Sequence, residues 1–470
     1  MTIEEFKGVI DFLRSAIKNT EYENHVYLVG GCVRDYLMGD TIADIDIAID
    51  IPNGGYKFST WLTQRENCWS PFNPTQIGRL GTYRFLLTNN KALKHVVFDC
   101  VQTRRNPSFA VPEGSPVANN LGTILEDGVL RDLTINSLYL DISALQIVDL
   151  NGGVKDITNN ILRLPNIASI VLKDDPLRMM RIIRFSSKYG WEIDKDTWMG
   201  ILKYHSLIKD VSVERFREEL NQILLSPCPS YGLKKLLYSG MLFDMIPQLY
   251  SLNHVGKNLG LKFVENQWKH TLAVVDEVQP KLINRLAALF HDIGKQATWK
   301  IVDGRIRFYG HESTGATIAK SVMTKLKYPN LIIDAVVLCI QNHMRLSSLL
   351  ALRQELPSPK TIRRFLTDVG KHKDLVLDVI KADFISRGNL ENFNRIEELI
   401  NDISEELDYT NLKIPINGME ICDYLNIKQS PLVGKIIEYI KSKMMEKPDL
   451  TKEEAFDCIS EYYATKCMCN

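Results

Sequence analysis

The sequence predicts an α+β head followed by a long helical remainder. Short runs rich in β-branched residues, such as HVYLVGG, DIDIAID and KHVVFDCVQ, alternate with helical stretches over residues 25–150. From about residue 155 onward, apolar residues recur at intervals of three and four, the spacing of an amphipathic helix. A chain of 470 residues has room for about three domains, so we expect the head to be one of several.

The composition is that of an ordinary globular protein. Hydrophobic residues make up 45% of the chain and charged residues 24%. No apolar run is long enough to span a bilayer, and the nine cysteines form no C-x-x-C pair, so we expect a cytoplasmic protein that binds no membrane. The formal net charge is zero, which predicts that any nucleic-acid partner is held by a local basic surface.

Three aspartates alternate with isoleucines in the segment DIDIAID. On a strand, Asp44, Asp46 and Asp50 would share one face while the isoleucines pack on the other. Carboxylates crowded on one face repel each other unless a cation lies between them, and Mg²⁺ binds through one or two carboxylates together with substrate phosphates. The segment therefore indicates a magnesium site at Asp44 and Asp46 for phosphoryl or nucleotidyl transfer, with a solvated edge strand as the alternative.

A glycine turn and an arginine precede these aspartates. VYLVGG followed by VRDYLMG predicts a strand, a turn at Gly30 and Gly31, and one short helix that ends at Gly39. Glycines let a backbone approach a ligand closely, and the start of a helix offers free N–H groups to anions. Arg34 lies one turn into this helix, where we expect it to bind a phosphate.

The stretch LVGGCVRDYLMGDTIADIDIAI resembles the signature of the class II tRNA nucleotidyltransferase and bacterial poly(A) polymerase family, within the DNA polymerase β superfamily. The resemblance implies a small mixed-sheet head in which Asp44 and Asp46 hold catalytic Mg²⁺. LRDLTINSLYLD resembles the second family motif, which implies a catalytic role for Arg131 and nucleotide binding by Asp132. The family usually has a second arginine where Leu130 stands. DLNGGVKDITNNILRL resembles the third motif, which links the head to a helical neck.

The stretch DDPLRMMRIIRFSSKYG predicts a helix with one polar flank and Asp175 as its N-cap. Cytosine and adenine each present an amino donor beside a ring-nitrogen acceptor, whereas guanine and uracil present a carbonyl beside an N–H. An acceptor-only aspartate next to a donor-only arginine complements the first pair and mismatches the second. A capped helix with ordinary ion pairs is the alternative interpretation.

The same stretch resembles the family motif that selects the incoming nucleotide. The match implies that Asp175 and Arg178 read the base and that two further arginines face its phosphates or ribose. Asp174 stands where the family commonly has glutamate. The nucleotide-binding residues implied by this motif are Asp175, Arg178, Arg181 and Arg184. VSVERFREELNQIL resembles the next motif, a neck helix that we expect to support the site.

A second site is indicated in the helical half, where NQWKHTLAVVDEVQPKLINRLAALFHDIGKQATW resembles the opening of an HD phosphohydrolase domain. The ligands implied by the resemblance are His270, His291, Asp292, His311, His343 and Asp383. Mixed imidazole and carboxylate ligation suits a divalent transition metal, and a metal-bound water could attack a phosphate ester. In the family this domain is associated with phosphatase and 2′,3′-cyclic phosphodiesterase activity. A structural remnant that binds little metal is the alternative.

The resemblance extends to the tail, where INGMEICDYLNIKQSPLVGKIIEYI is similar to the family's C-terminal region. Its helix starts at Asn417-Gly418 and at Pro431 offer N–H groups that could meet RNA phosphates, although capped helices explain the same residues. The implied domains are a nucleotidyltransferase head (1–142), a helical neck (143–230), an HD domain (231–400) and a helical tail (401–470).

The function implied by the resemblance is addition of CMP and AMP to the 3′ end of tRNA from CTP and ATP. A poly(A) polymerase and an enzyme that adds only CC or only A would share every motif of the head and neck. A hydrolase whose head only grips RNA and a non-catalytic RNA-binding protein are the alternatives of other classes. Neither the oligomeric state nor the identity of the HD metal follows from the sequence.

Overall fold

The structure is a computed structural model in which the chain forms two compact units, Met1–Met245 and Ile246–Asn470. The first unit holds a mixed sheet and the second is almost entirely helical, which confirms the predicted α+β class. The finer division into four domains stays a prediction. None of the helices described has the length and apolar character that a membrane span requires. The described residues are 1–65, 74–77, 81–87, 96–110, 116–255, 266–346, 356–406, 413–447 and 449–467.

The first unit is built on a seven-stranded sheet. Its strands are β1 (Val26–Val29), β2 (Ile45–Ile49), β3 (Thr75–Ile77), β4 (Thr82–Leu86), β5 (Val97–Gln102), β6 (Leu138–Asp141) and β7 (Gln146–Asp149), in the order β3-β4-β5-β2-β1-β6-β7. Strand β2 lies at the centre, antiparallel to β1 and parallel to β5. This position makes β2 the strand from which side chains reach the middle of the sheet surface.

The isoleucines of β2 fix which face of the sheet is buried. Ile45, Ile47 and Ile49 are fully buried in a core that also contains residues of helices α1 (Ile3–Ile17) and α3 (Gly54–Gln64). Because side chains alternate along a strand, Asp46 points away from this core. Asp50 follows the strand and its carboxylate lies 2.7 Å from Nδ1 of His25, so its nearest partner is this histidine.

The glycine turn has the form that the sequence predicts. Gly30 has φ +78° at the end of β1, helix α2 (Gly31–Met38) follows at once, and Gly39 closes it in the left-handed conformation with φ +73°. Residues with side chains are strained at such φ values, so the turn requires glycine at both positions. The segment 104–130 is rich in Pro, Gly and Asn, a composition that predicts a loop, but it contains helix α4 (Ile124–Gly128); its residues 111–115 lie outside the described residues.

A series of helices completes the first unit: α5 (Gly153–Asn159), α6 (Ala168–Asp174), α7 (Arg178–Tyr189), α8 (Lys195–Tyr204), α9 (Val213–Leu224), α10 (Pro229–Ser239) and α11 (Met241–Met245). Two short strands, β8 (Ile161–Leu162) and β9 (Glu192–Ile193), pair in parallel beside them. The predicted N-cap at Asp175 is wrong, because α7 begins at Arg178. Asp175 instead ends α6, although its carboxylate still accepts the N–H of Leu177.

The second unit begins with α12 (Pro247–Leu252), α13 (Gln267–Glu277), α14 (Leu282–Phe290), α15 (Lys295–Thr298), α16 (His311–Lys325), α17 (Asn330–Asn342), α18 (Pro359–Val369), α19 (Lys373–Ser386) and α20 (Leu390–Glu406). Residues Leu286 to Phe290 of α14 are all fully buried. Five consecutive residues cover every side of a helix, so this part of α14 lies inside its domain and the residues that follow it are also delivered to the interior.

Three tail helices end the unit: α21 (Gly418–Leu425), α22 (Pro431–Met444) and α23 (Lys452–Cys467). The predicted helix starts are confirmed, with Asn417 accepting two N–H groups of α21 and Pro431 opening α22. A feature absent from the predictions is a β-hairpin between α15 and α16. Its strands, β10 (Lys300–Val302) and β11 (Arg305–Arg307), are joined by Asp303 and Gly304, both with positive φ.

Candidate active sites

An acidic centre lies on the open face of the sheet. Asp46 projects from β2, Asp44 immediately precedes the strand, and Asp99 of β5 stands directly opposite Asp46 in the parallel register. Asp99 was not among the predicted site residues, although a single aspartate inside the apolar run VVFDCVQ is the kind of signal that marks it. Arg84 of β4 donates two hydrogen bonds, of 2.8 and 2.7 Å, to the carboxylate of Asp99.

The electrostatics of this centre favour a bound cation. Burial raises the pKa of Asp46 to about 6, Arg131 acts to lower it, and the carboxylates of Asp99 and Asp44 raise it further. A carboxylate whose charged form is disfavoured by burial and by like charges is stabilised when a positive ion approaches. The donor set is all oxygen, which fits Mg²⁺. Asp44 and Asp46 are therefore suited to hold it.

The predicted glycines bring the backbone close to the acidic centre. A Cβ atom built on Gly30 would lie 3.4 Å from Oδ2 of Asp46 and 3.8 Å from Nη1 of Arg131. A Cβ atom on Gly31 would lie 3.6 Å from Nη2 of Arg34. The turn between β1 and α2 thus forms one wall of the centre, and a larger side chain at Gly30 would enter the space next to Asp46.

Arg131 lies beside the acidic centre in a fixed orientation. Its guanidinium is 2.8 Å from a carboxylate oxygen of Asp127, donates a hydrogen bond of 3.0 Å to the hydroxyl of Tyr139 and lies over the ring of Tyr139. Burial acts to lower the pKa of Arg131, but Tyr139 and Asp127 outweigh burial and hold it above its usual value. The side chain is therefore a permanent, preoriented positive charge next to Asp46.

Arg34 has a different environment from the one predicted. Its guanidinium pairs with Asp35 at 2.7 Å, donates to the side-chain oxygen of Asn136 and stacks on the rings of Phe185 and Tyr189. The residue is 5% exposed, so these partners enclose it. Its role in phosphate binding stays a prediction, whereas the observed contacts join helix α2 to helix α7.

A second set of contacts links the head to the same helix. Asp132 accepts hydrogen bonds from Arg181, at 2.8 Å, and from Asn136, at 3.0 Å. Burial acts to raise the pKa of Asp132, but Arg181 and Asn136 hold it below its usual value. Arg184 pairs with Glu219 of α9 at 2.8 Å. The carboxylate of Asp132 is therefore ionised and joins the second motif to the helix predicted to select the nucleotide.

The two residues predicted to read the base lie at the break between α6 and α7 with separate partners. Arg178 donates hydrogen bonds to the carboxylate of Asp174, at 2.8 Å, and to the backbone carbonyl of Val171, at 2.9 Å. Asp175 pairs with Arg215 of α9 at 2.7 Å and keeps about a quarter of its side chain exposed, at 28%. Arg215, which the sequence did not single out, is thus the residue that orients Asp175.

Asp174 is the anchor of this region. Its side chain is 2% exposed and lies 2.9 Å from Arg104, while Ser108 donates to it from both its backbone N–H and its hydroxyl. Burial acts to raise the pKa of Asp174, but Arg104 outweighs burial and lowers it. Asp174 therefore fixes Arg178 from one side and the segment that carries Ser108 from the other.

In the second unit, the six predicted HD residues converge. They come from α13, from the end of α14, from α16, from the end of α17 and from α19. Nε2 of His270 lies 2.9 Å from Asp383, and Nε2 of His291 lies 3.1 Å from Oδ2 of Asp292. Oδ1 of Asp292 lies 3.4 Å from Nε2 of His311 and 3.6 Å from that of His343. Asp292 is shared by both halves of the cluster.

Hydrogen bonds on the outer side of the cluster fix the imidazole rings. Nδ1 of His291, His311 and His343 each lies 2.7–2.8 Å from a backbone carbonyl oxygen three residues earlier. An imidazole that donates from Nδ1 presents an unprotonated Nε2, which is the form that binds a metal. Burial also lowers the pKa of His291, which favours the neutral ring.

Three buried acceptors in the cluster have no hydrogen-bond partner in the described part of the chain: Oδ1 of Asp292, Nε2 of His311 and Nε2 of His343. Two overlapping groups, one of His270, His291 and Asp292 and one of Asp292, His311 and His343, have ligand atoms within 4.8 Å of one another. A divalent cation satisfies such converging acceptors, so the residues fit a metal.

Glycine and basic residues complete the HD centre. A Cβ atom on Gly294 would lie 2.0 Å from the carbonyl oxygen of His311, so these two segments touch backbone to backbone. Nζ of Lys295 lies 2.5 Å from Asp292, and Nε of Arg387 lies 3.0 Å from Asp383. The centre therefore combines metal ligands with two cations that could face a phosphate.

Three family models match consecutive parts of the chain. Residues 26–163 match the poly(A) polymerase head domain, residues 190–252 match the model described as "Probable RNA and SrmB- binding site of polymerase A", and residues 268–388 match the HD domain. The first model contains the acidic centre and the third contains the six HD residues, whereas the stretch from Asp175 to Arg184 lies between the first model and the second.

Curated relatives extend over nearly the whole chain. A CC-adding tRNA nucleotidyltransferase of Thermus thermophilus is 27% identical over 91% of each chain. A tRNA nucleotidyltransferase of Schizosaccharomyces pombe is 26% identical over 92% of this chain and 90% of its own. A CC-adding tRNA nucleotidyltransferase of Synechocystis is 26% identical over 91% of each chain.

Solved structures share the fold. The CCA-adding enzyme of Bacillus stearothermophilus in complex with CTP superimposes with a TM-score of 0.65, at 19% identity and over 99% of both chains. The CCA-adding enzyme of Thermotoga maritima complexed with tRNA gives a TM-score of 0.56, at 18% identity and over 93% of this chain. Because the poly(A) polymerase head, the RNA-binding segment and the HD domain are matched in turn along the chain, and because named relatives extend over about nine-tenths of it, the chain belongs to the tRNA nucleotidyltransferase and poly(A) polymerase family.

Proposed function

We propose that this protein adds CMP and AMP to the 3′ end of tRNA, with CTP and ATP as substrates. The observation that carries the proposal is the acidic centre, where Asp46 and Asp99 face each other across the parallel strand pair beside the preoriented Arg131. The described cysteines are free thiols, which suits the reducing cytoplasm. CC addition alone is the second candidate, because relatives at 26% and 27% identity carry that name.

In the proposed reaction, the 3′-hydroxyl of the RNA attacks the α-phosphate of the nucleotide and pyrophosphate leaves. Mg²⁺ held by Asp44 and Asp46 would lower the pKa of the hydroxyl and offset the developing negative charge. Arg131 lies on the same side of the sheet, where its fixed charge would neutralise phosphate oxygens. The turn at Gly30 leaves room for the triphosphate, since nothing larger than hydrogen projects from it towards Asp46.

Base selection would depend on groups that are oriented before the nucleotide arrives. Arg178 is held by Asp174 and Val171, so its remaining N–H groups have a fixed direction. Asp175 accepts hydrogen bonds from Arg215 on both carboxylate oxygens, which fixes its direction, and its partial exposure leaves room for an amino group to approach as a further donor. A fixed template rejects a mismatched base because the polar groups of the template would lose their partners.

Replacing Asp44 and Asp46 with alanine should reduce nucleotide incorporation about a thousandfold or more, because the metal ligands of the transfer step are lost. The assay supplies labelled CTP or ATP to a tRNA that lacks its last three nucleotides, and sequencing of the wild-type product ends distinguishes CCA, CC, A and poly(A) addition. Asp50→Asn is the matched control, since that carboxylate follows the same strand but pairs with His25. Incorporation that persists in the double variant would refute the acidic centre as the catalytic site.

Asp46→Asn should stabilise the metal-free protein while abolishing incorporation. The pKa of Asp46 is about 6 in the folded protein and 3.8 in an unperturbed aspartate, so between these values the folded state binds more protons than the unfolded chain. The free energy of unfolding therefore falls by about 3 kcal/mol as the pH rises through this window, and the amide removes that loss.

We expect thermal melts in a chelator to give Asp46→Asn a midpoint about 2–4 °C higher than that of the wild type at pH 8. The two proteins should melt together near pH 4, and Mg²⁺ should raise the midpoint of the wild type alone. Equal midpoints at pH 8 would show that ionisation of Asp46 does not lower the free energy of unfolding.

Replacing Asp175 with alanine should relax the choice among nucleotides. Discrimination against UTP and GTP, measured as a ratio of kcat/KM values, should fall about ten- to a hundredfold, the equivalent of the 1–3 kcal/mol that a good bidentate base contact provides. Asp210→Ala removes an exposed carboxylate from the same unit and serves as the control. Unchanged discrimination in the Asp175 variant would exclude this residue from the template.

We also propose that the HD centre is a metal-dependent phosphohydrolase that acts on RNA ends. The three unpartnered acceptors around Asp292 support a bound divalent transition metal, whose role would be to activate water. Asp383 and Asp292 would hold the metal together with the imidazoles, and the charges of Lys295 and Arg387 would suit a phosphate.

His311→Ala and His343→Ala should each lower the metal content of the purified protein, measured by mass spectrometry, and hydrolysis of a 2′,3′-cyclic phosphate about a hundredfold. Both variants lose an Nε2 acceptor that faces Asp292. Incorporation of CMP should stay within a factor of two, because the acidic centre lies in the other unit. His254→Ala, which changes an exposed histidine of the same unit, is the control. Full metal content in the other two variants would exclude these histidines as ligands, and wild-type protein without metal would argue for a structural remnant.

A further inference from the structure

The hairpin of β10 and β11 presents a basic, solvent-exposed surface. Lys300, Arg305 and Arg307 are all exposed, and Tyr309, two residues beyond Arg307, is 68% exposed. Residues 300–307 carry three positive charges and one negative charge, in a chain whose formal net charge is zero. Such a concentration of cations beside an exposed aromatic ring is typical of surfaces that bind single-stranded nucleic acid.

The register of the hairpin places its cations on one face. Lys300 pairs with Arg307 across the strands, and Val302 pairs with Arg305 two residues further on. Because side chains alternate, these residues share a face, and the pair of Ile301 and Ile306 occupies the other. Like charges placed directly opposite each other destabilise a hairpin, so an anionic ligand on this face would relieve a repulsion that is built into the strand pair.

The cations are available to such a ligand. Within the described part of the chain, the side chains of Lys300, Arg305 and Arg307 form no ion pair or hydrogen bond. Asp303, the one acidic residue among residues 300–307, lies in the turn between the two strands. The positive face is therefore not neutralised from within the hairpin.

Both ends of the hairpin are attached to the HD centre. The chain enters from Lys295, whose Nζ lies 2.5 Å from Asp292, and leaves into His311. Phe308, which follows β11, contacts both: Nζ of Lys295 lies 5.2 Å from the centre of its ring, and its backbone carbonyl is 2.8 Å from Nδ1 of His311. A ligand on the hairpin would thus lie next to the cluster of candidate metal ligands.

We propose that the basic face of the hairpin, formed by Lys300, Arg305, Arg307 and Tyr309, binds the single-stranded 3′ segment of an RNA whose terminal phosphate enters the HD centre. The cations contact successive phosphates and Tyr309 stacks on a base. This inference rests on the proposed phosphohydrolase function and names its substrate class. Stacking and phosphate contacts carry no base code, so the hairpin binds RNA ends with little sequence preference.

The experiment compares two substrates in the full-length protein. One is a short oligoribonucleotide that ends in a 2′,3′-cyclic phosphate, and the other is bis(p-nitrophenyl) phosphate, which is too small to reach the hairpin. In a variant with Lys300→Gln, Arg305→Gln and Arg307→Gln, the ratio of kcat/KM for the RNA to that for the small diester should fall about tenfold or more. The slope of log kcat/KM against log salt concentration for the RNA should become shallower by about two, because each of the three single-strand phosphate contacts contributes about 0.7.

The matched control replaces three exposed lysines of the same unit, Lys320, Lys325 and Lys371, with glutamine. This control has the same change of net charge, so it should leave the ratio unchanged if the effect is local. A fall of the same size in the control would overturn the proposal in favour of general electrostatic attraction. An unchanged ratio in the hairpin variant would overturn it in favour of another partner for this face, such as an acidic protein surface.

A crosslinking measurement keeps the hairpin proposal separate from the hydrolase proposal. An oligoribonucleotide with 4-thiouridine near its 3′ end should crosslink, under ultraviolet light, to the peptide that contains Tyr309, and Tyr309→Ala should abolish this crosslink. The result does not depend on hydrolysis. Absence of that peptide from the wild-type crosslinks would overturn the hairpin site, whereas crosslinking without hydrolysis of either substrate would overturn only the phosphohydrolase.

Discussion

The fold crowds carboxylates against one another in the first unit and against imidazole nitrogens in the second, and this constraint organises both units. In the sheet, Asp44, Asp46 and Asp99 gather around one point, and burial raises the pKa of Asp46 to about 6. In the helical unit, Oδ1 of Asp292 faces two imidazole nitrogens that lack partners in the described part of the chain. Such arrangements cost free energy unless a cation completes them.

The apolar framework carries this cost. Fully buried isoleucines fix the orientation of β2, and a helix that is buried on every side delivers His291 and Asp292 to the interior. In each case, an ionisable side chain follows a buried apolar side chain within one or two residues. Tight packing on one side therefore holds the charged groups in place on the other, so that side chains which repel each other cannot move apart.

The first unit also shows how the catalytic head and the selecting helix are joined. A continuous series of hydrogen bonds runs from Arg34 through Asn136 and Asp132 to Arg181. Arg178, one turn before Arg181, is fixed by Asp174. The groups expected to contact the phosphates and the ribose are thus joined by this series, while Arg178 is fixed separately by the buried Asp174.

Much of this could be predicted from the sequence, because the relevant patterns are local. Alternation in DIDIAID identifies the strand and its acidic face, and the HD ligands stand in recognisable segments. Asp99 could not be found in the same way, since its approach to Asp46 depends on the pairing of two strands far apart in the chain. The pairing of Asp175 with Arg215 and the burial of Arg34 likewise depend on contacts between segments far apart in the chain, which local sequence patterns do not reveal.

The hairpin of β10 and β11 differs from these cases, because the sequence contains a local signal for it. Asp303-Gly304 between two short alternating runs is the usual signature of a two-residue turn. The helical periodicity of the surrounding segments nevertheless favours helix over the whole stretch. The predicted N-cap at Asp175 failed for a related reason: a proline suited to a first helical turn lies inside the break between α6 and α7, and α7 begins after it.

The contact between Gly294 and the backbone of His311 has a consequence for the history of such chains. The smallest possible side chain at position 294 would drive the two segments apart, and with them Asp292 and His311. Every glycine codon is one nucleotide away from alanine. A lineage can therefore lose the proposed hydrolysis at the HD centre in a single mutational step, while the acidic centre, which lies in the other unit, stays intact.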